Sequence, residues 1–235
     1  MVKYTLKHWL DGYPSFYLKV LSWKRRRHWS KNWIVRPDTE VVIEGFPRSG
    51  NSFAYSAFKQ SNPSVRKIAT HLHMSSQVVM AVRYGRPCMV LIRDPIDAVC
   101  SMLALSHQIG DRRIHESDNR AAMQRLLISY HCFYQRIQPC LSGFVIAPFE
   151  IVTHDYGRVI TAMNHRFGST FRCFKHDDES ANDIINNAPI HLGPSEERDR
   201  LKSILLQQLH QGRLDKSIEQ AKATYCFYKK QVVDL

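Results

Sequence analysis

From residue 40 onward, short apolar runs alternate with longer segments of helical period. The runs lack the polar and apolar alternation of half-exposed strands, so they indicate strands buried on both faces. They cover 41–45, 65–69, 88–92 and 144–147. Helices are predicted over 50–60, 75–84, 95–106, 119–136, 154–167, 195–210 and 214–230. Because strands separated by helices pair in parallel through right-handed crossovers, the chain is predicted to be a three-layer α/β/α sandwich around a mostly parallel sheet.

The first 38 residues do not share this pattern. They are rich in Trp, Tyr, Lys and Arg and contain four consecutive cations, Lys24 to Arg27. We interpret residues 1–38 as a basic aromatic arm and residues 39–235, which contain no repeat or linker, as one domain. The arm is typical either of a solvated flank or of a segment that binds a lipid surface, an anionic polysaccharide or, as a weaker alternative, nucleic acid.

The composition narrows the partners and the compartment. The 33 Lys and Arg exceed the 21 Asp and Glu by 12, and a net charge of +12 attracts phosphate, sulfate, nucleic acid or an anionic membrane face. No apolar run approaches the roughly 18 residues that span a bilayer. The six cysteines are far apart and form no C-x-x-C pair, so we expect neither a disulfide framework nor a metal site. A reducing cytoplasm is the expected location.

The turn after the first predicted strand has the spacing of a phosphate-binding loop. Gly45 and Gly50 stand five residues apart and are followed by Asn51 and Ser52. In such loops, backbone N–H groups and a helix N-terminus hold the anion. A nucleoside-triphosphate enzyme has lysine where Asn51 stands, whereas this loop carries Arg48 at its crest. The alternative is a glycine turn in which Asn51 or Ser52 merely caps the following helix.

The turn after the third predicted strand contains a second candidate phosphate site. Asp94, Pro95 and Asp97 are explained as an N-cap and a first helical turn. Arg93 and Ser101 are not explained in this way, and a guanidinium with a nearby hydroxyl is suited to a phosphate dianion. Because ligands bind at the carboxyl ends of parallel strands, two such sites predict a ligand with two separated phosphates.

These segments resemble the sulfotransferases that use 3′-phosphoadenosine-5′-phosphosulfate (PAPS). FPRSGNSF looks like their 5′-phosphosulfate loop, RDPIDAVCS looks like their 3′-phosphate motif, and THLH is similar to the segment that carries their catalytic histidine. FEIVTHDYGRVITAMNHRFG is similar to their late strand–helix segment. The resemblance covers about residues 40–168 in the family's order. It implies the P-loop sulfotransferase fold and PAPS as sulfuryl donor.

The resemblance also implies roles for individual residues. The 5′-phosphate would be bound by the loop residues Arg48, Ser49, Gly50, Asn51 and Ser52. Arg48 would also lie near the sulfuryl group. The 3′-phosphate would be bound by Arg93 and Ser101. The acceptor would be a hydroxyl of a carbohydrate, a glycolipid or a small molecule, and no metal is required.

The acceptor's proton needs a base. His71 is the favoured candidate, since it follows the second strand and imidazole titrates near neutrality. His73 lies on the same side of an extended chain and could take the role instead. Some carbohydrate-directed relatives use glutamate.

The chain departs from the family near its C-terminal end. The family's R-K-G-x-x-G-D-W-K segment has no match, and HLGPSEERDRLK stands there, like the shorter tail of bacterial sulfotransferases. Ser195 is expected to cap a helix on which Arg198 and Lys202 lie one turn apart. Arg198 is assigned either to the nucleotide or to a solvated helix face.

Two other classes of function share parts of this pattern. A nucleotide or small-molecule kinase would have the same fold and glycine spacing, but Asn51 replaces its lysine and only Asp94 is placed to bind Mg²⁺. A non-enzymatic basic module for nucleic acid or anionic glycan would explain the charge, but not the two motifs.

Overall fold

The computed structural model describes residues 11–25, 33–110, 119–177, 184, 196–210 and 214–232. Its centre is a four-stranded sheet in which every neighbouring pair is parallel. The strands are β1 (Val41–Gly45), β2 (Ile68–Thr70), β3 (Cys88–Ile92) and β4 (Val145–Pro148), in the order β2-β1-β3-β4. The predicted strands are therefore confirmed, although β2 begins three residues later than predicted.

Helices cover both faces of the sheet. In chain order they are α1 (Pro14–Arg25), α2 (Asn51–Ser61), α3 (Ser75–Arg83), α4 (Pro95–Gln108), α5 (Asn119–Ile137), α6 (Phe149–His154), α7 (Tyr156–Phe167), α8 (Glu196–His210) and α9 (Asp215–Lys230). A 3₁₀ turn, Gln138–Gly143, precedes β4. The predicted helix cap Ser195 lies outside the described residues.

Alternate residues of each strand pack against opposite helix layers. Val42 and Val90 belong to a core built with helices α1, α3, α4, α5, α8 and α9. Ile43 and Leu91 belong to a second core built with α2, α6 and α7. Because both faces are buried, every strand residue is apolar apart from Glu44, Gly45, Thr70 and Pro148, and the predicted three-layer α/β/α sandwich is confirmed.

The amino-terminal part of the chain contains a helix that the sequence pattern did not indicate. Helix α1 packs on α3, and its residues Tyr17 and Leu18 are buried in the core. Just before α1, Asp11 is buried and accepts hydrogen bonds from Ser75 and Ser76 at the start of α3. This part of the predicted arm therefore packs as part of one helix layer of the sandwich.

None of the helices in the described parts of the chain is long and apolar enough to cross a bilayer.

The carboxyl ends of β1 and β3 approach closely at Gly45. A Cβ built on Gly45 would lie 2.5 Å from the carbonyl oxygen of Leu91 and 2.9 Å from its Cβ. Any side chain at this position would push the two strand ends apart. The glycine thus sets the spacing of the two turns that carry the candidate phosphate sites.

We predict that Gly45→Ala lowers the free energy of unfolding by about 1–3 kcal/mol, the usual penalty for overpacking a filled interior. Urea denaturation measures it. Gly85→Ala is the control. A Cβ built on Gly85 would meet nothing within 4 Å, so this variant measures only the backbone strain of an alanine at a φ of +61°, without a clash. A loss at Gly45 smaller than that at Gly85 would contradict the prediction.

Candidate active site

The phosphate-loop candidate joins β1 to α2 in a tight turn. The Ser49 N–H donates to the Phe46 carbonyl at 3.2 Å, and Arg48 and Gly50 have φ values of +67° and +93°. Ser49 is fully buried, and Gly50, which has no side chain to form a cap bond, is the N-cap of α2. The alternative in which Asn51 or Ser52 caps the helix is therefore wrong. A helix N-terminus without a side-chain cap, behind a tight loop, is suited to an anion.

Asn51, at the position of the triphosphate-binding lysine, is part of the loop's own framework. It is buried, and its Nδ2 donates to the Phe46 carbonyl at 2.9 Å. Its side-chain N–H therefore stabilises the turn and points back at the backbone. The amide does not replace the charge of a lysine that reaches along a phosphate chain.

The two predicted phosphate sites lie in contact. Arg93 at the end of β3 donates from Nη1 to the Arg48 carbonyl at 3.0 Å, and Arg48 donates from Nε to the Ser101 Oγ at 3.0 Å. The Arg93 guanidinium also lies over the Phe149 ring, 4.0 Å from its centroid. The structure thus brings Arg48, Arg93 and Ser101 together, although in a different pairing from the predicted one, since Ser101 contacts Arg48.

Helix α8 carries a third arginine of the candidate site, Arg198. Arg198 is only 9% exposed, so the expectation that it lies on a solvated helix face is wrong. Burial and the positive charges of Arg198 and Arg93 lower the pKa of Arg48 to about 10. The Lys202 ammonium pairs with Asp97 at 2.7 Å and ties α8 to α4. We call Arg48, Arg93 and Arg198 the guanidinium cluster.

His71 follows β2 and lies among hydroxyl groups and aromatic rings. Its Nε2 is 3.2 Å from the Ser52 Oγ, and its Nδ1 is 2.9 Å from the Thr70 Oγ1. The rings of Trp33 and Tyr55 stand 5.0 and 5.8 Å from its own. Burial lowers the pKa of His71 to about 4, so the imidazole is neutral at pH 7. A neutral imidazole can accept a proton.

His73 has a different environment, although its ring is 5.9 Å from that of His71. Its Nδ1 lies 2.9 Å from the Gly45 carbonyl oxygen and 3.9 Å from Glu44. Because a carbonyl oxygen only accepts, Nδ1 carries the proton of this bond. Both histidines therefore lie beside the phosphate-loop candidate, and their role as base, like the choice between them, stays a prediction.

Backbone strain coincides with these side chains. In the described part of the chain, the non-glycine residues with positive φ are Arg48 (67°), His71 (55°) and His73 (52°). Such conformations are costly, and they are concentrated at functional sites. All three are residues that we assigned to catalysis from the sequence.

Three further residues support the site and were missed from the sequence. Glu44 is fully buried in β1 and accepts hydrogen bonds from the turn that carries both histidines. On α5, the Tyr130 hydroxyl donates to the Arg93 carbonyl and the Tyr134 hydroxyl to the Leu91 carbonyl, at 2.8 and 2.6 Å. The only signal for Glu44 was a charge within an apolar run, and the tyrosines resembled ordinary core residues.

Among the described residues, no group of three or more His, Cys, Asp or Glu side chains is arranged to hold a metal ion.

Comparisons of the chain with protein-family models, with curated proteins and with solved structures found no match.

We predict that His71 titrates near pH 4 in the folded protein and near its ordinary value of 6.5 in the urea-unfolded chain. The folded state then binds fewer protons than the unfolded state in this window, so His71 contributes stability that is lost as the pH falls from about 6.5 towards 4. Imidazole NMR resonances followed against pH measure both values. A folded-state pKa of 6 or above would contradict the burial argument.

Proposed function

We propose that the protein is a PAPS-dependent sulfotransferase. The observation that carries the proposal is the contact of the Arg93 guanidinium with the Arg48 carbonyl, because it unites two loops that each suit a phosphate group. The distance between Arg48 and Arg93 could have been incompatible with one ligand. Their contact supports one ligand that reaches both loops, and the resemblance to PAPS-dependent sulfotransferases implies that this ligand is an adenosine nucleotide with phosphates at its 3′ and 5′ positions.

In this proposal the phosphate loop holds the 5′-phosphate. Backbone N–H groups of Gly50, Asn51 and Ser52 face the anion, and the Ser52 hydroxyl adds a donor. Ser49 contributes by shaping the loop, since its N–H donates to the Phe46 carbonyl. Arg93 and Ser101 bind the 3′-phosphate. Arg198 adds a charge close to Arg48, which supports its assignment to the nucleotide.

PAPS supplies a sulfuryl group on a phosphate leaving group. The acceptor oxygen forms a bond to sulfur as the bond from sulfur to the bridging oxygen breaks, and the electron pair stays on that oxygen. Arg48 stabilises the charge that grows there, an electrostatic effect of about 3 kcal/mol per donor in comparable acyl-transfer sites. His71 accepts the acceptor's proton, with His73 as the alternative base.

The alternatives are less well supported by the same site. A kinase would need Asp94 for Mg²⁺, but its Oδ1 accepts hydrogen bonds from the N–H groups of Ile96 and Asp97, as the N-cap of α4. A module that binds polyanions through net charge would use exposed cations alone. It gives no reason for Arg48 and Arg93 to be partly buried at the ends of two central strands, or for Arg198 on α8 to be buried.

We predict that adenosine 3′,5′-bisphosphate binds without Mg²⁺, and that Arg93→Ala weakens its binding by about thirtyfold. This ratio corresponds to about 2 kcal/mol for one charge-assisted hydrogen-bonding partner. Isothermal titration calorimetry measures both affinities. The matched control is Arg66→Ala. Arg66 is exposed and precedes β2 at the amino ends of the strands, whereas Arg93 follows the carboxyl end of β3, so this variant should bind like the wild type.

Two outcomes would contradict this function. Stabilisation by Mg-ATP but not by adenosine 3′,5′-bisphosphate would favour the kinase. Salt-sensitive binding of polyanions that is equal in the wild type and in Arg93→Ala would favour the basic module.

A reducing compartment, the cytoplasm, is the proposed location, because all six cysteines are unpaired.

We further propose that α1 brings the enzyme to an anionic membrane surface, where a glycolipid acceptor would be found. Tyr13, Phe16 and Trp23 recur at spacings of three and seven residues and are 55–67% exposed. Lys19 and Lys24 are exposed beside them. Aromatic rings flanked by cations are typical of helices that lie in a membrane interface.

We predict that the double variant Phe16→Ser/Trp23→Ser sediments less with phosphatidylglycerol vesicles than the wild type does, by at least fivefold. Ile128→Ser is the matched control, since Ile128 is 45% exposed on α5. Equal sedimentation of the wild type and the double variant would refute the surface. If the wild type is retained by an anionic polysaccharide but does not sediment with vesicles, the partner of α1 is a glycan and not a membrane.

A further inference from the structure

We propose that Glu44 is a positioning residue for the two histidines, holding their turn in its strained conformation and selecting the Nδ1-protonated tautomer of His73. This inference deepens the proposed function, because it assigns the support of the candidate bases to a residue outside the phosphate-binding motifs. Glu44 lies in β1, directly before the phosphate loop, and is fully buried.

In each side-chain hydrogen bond that Glu44 makes within the described part of the chain, its carboxylate is the acceptor. Oε1 accepts from the N–H of Leu72 at 2.8 Å and from the Gln77 Nε2 at 2.9 Å. Oε2 accepts from the N–H groups of His73 at 3.1 Å and Gly45 at 3.3 Å. Both oxygens are therefore used, and both face donors. A carboxylate meets this demand, whereas an amide places one N–H group against another donor.

The two bonds to Leu72 and His73 hold the peptide units between the imidazoles. The flanking residues, His71 and His73, have positive φ, which an unsupported chain avoids. Above its pKa of about 7 the Glu44 carboxyl is ionised, and buried hydrogen bonds to an ionised acceptor are among the stronger ones in proteins and can offset this strain. Without them the turn would relax and both imidazoles would leave their present places.

Glu44 also acts on each ring. Its Oε2 lies 3.9 Å from the His73 Nδ1, which favours a proton on that nitrogen, in addition to the Gly45 carbonyl at 2.9 Å. Through Gln77, whose Nε2 also donates to the Trp33 carbonyl at 3.0 Å, Glu44 is linked to the tryptophan whose ring packs on His71. One carboxylate thus connects the supports of both candidate bases.

The energetics explain why the position needs several donors. Burial raises the pKa of Glu44 to about 7, and the hydrogen bonds from Leu72, Gln77, Gly45 and His73 oppose that shift. A buried carboxylate without such partners would be strongly unfavourable. Its place in an otherwise apolar strand is therefore better explained by what it holds than by the packing of the sheet.

The test is Glu44→Gln, which keeps the size of the side chain and removes one acceptor oxygen. In the wild type, we expect imidazole ¹⁵N NMR to show His73 protonated on Nδ1, and the Leu72 and His73 amides to exchange slowly with solvent. In Glu44→Gln, we expect a mixture of His73 tautomers and exchange of both amides at least tenfold faster.

Glu40→Gln is the matched control, since Glu40 directly precedes the same strand. Glu40 is exposed and accepts from the N–H groups of Arg66 and Lys67, at 2.9 and 2.8 Å, through Oε2 alone. A glutamine there can keep its oxygen on both donors and turn its amide to water. Glu40→Gln should therefore leave the His73 tautomer and the Leu72 and His73 amides unchanged.

The proposal is overturned if Glu44→Gln leaves the population of His73 tautomers unchanged and both amide exchange rates within twofold of those of the wild type. If that variant does not fold, the wild type decides: a His73 protonated on Nε2, or fast exchange of the Leu72 and His73 amides, overturns it. Failure of the wild type to bind adenosine 3′,5′-bisphosphate would instead refute the proposed function and leave the tautomer result standing. The two failures are thereby distinguishable.

Discussion

The hydrogen bond from the Arg93 guanidinium to the Arg48 carbonyl is the interaction on which the candidate site depends. It is possible because β1 and β3 are neighbours in the sheet and Gly45 allows the backbone of β1 to approach Leu91. On α5, Tyr130 and Tyr134 hold the carbonyls of Arg93 and Leu91 in place. A phosphate loop alone is a local motif. Its attachment to the next strand fixes the Arg48 carbonyl beside the turn that follows β3.

Most of the fold could be predicted from the sequence because its determinants are local. Apolar runs without alternation indicated strands buried on both faces, and Asp94 with Pro95 marked the start of α4, where Asp94 does cap the helix. Glycine spacing located the loop. These features depend on residues a few positions apart, so a pattern along the chain contains them.

The remainder depends on partners far apart in the sequence. Glu44 contacts Leu72 and Gln77, and Arg198 is buried beside Arg48, about 150 residues earlier in the chain. The burial of Arg198 follows from how α8 packs on α4, which neither helix encodes by itself. Helix α1 was missed because its apolar residues face both the core and the solvent, so no helical period separates them. The candidate site residues could be predicted from the sequence, but the residues that hydrogen-bond to them or pack against them could not.

The guanidinium cluster has a practical consequence. The positive charges of Arg93 and Arg198 act on Arg48, and such a group of cations attracts a compact dianion such as inorganic phosphate or sulfate. Under the proposed function, a purification buffer that contains either ion would compete for these cations and lower the apparent affinity for the nucleotide. The same ions would raise the melting temperature by mass action, so that a screen of additives could mistake a competitor for a stabiliser.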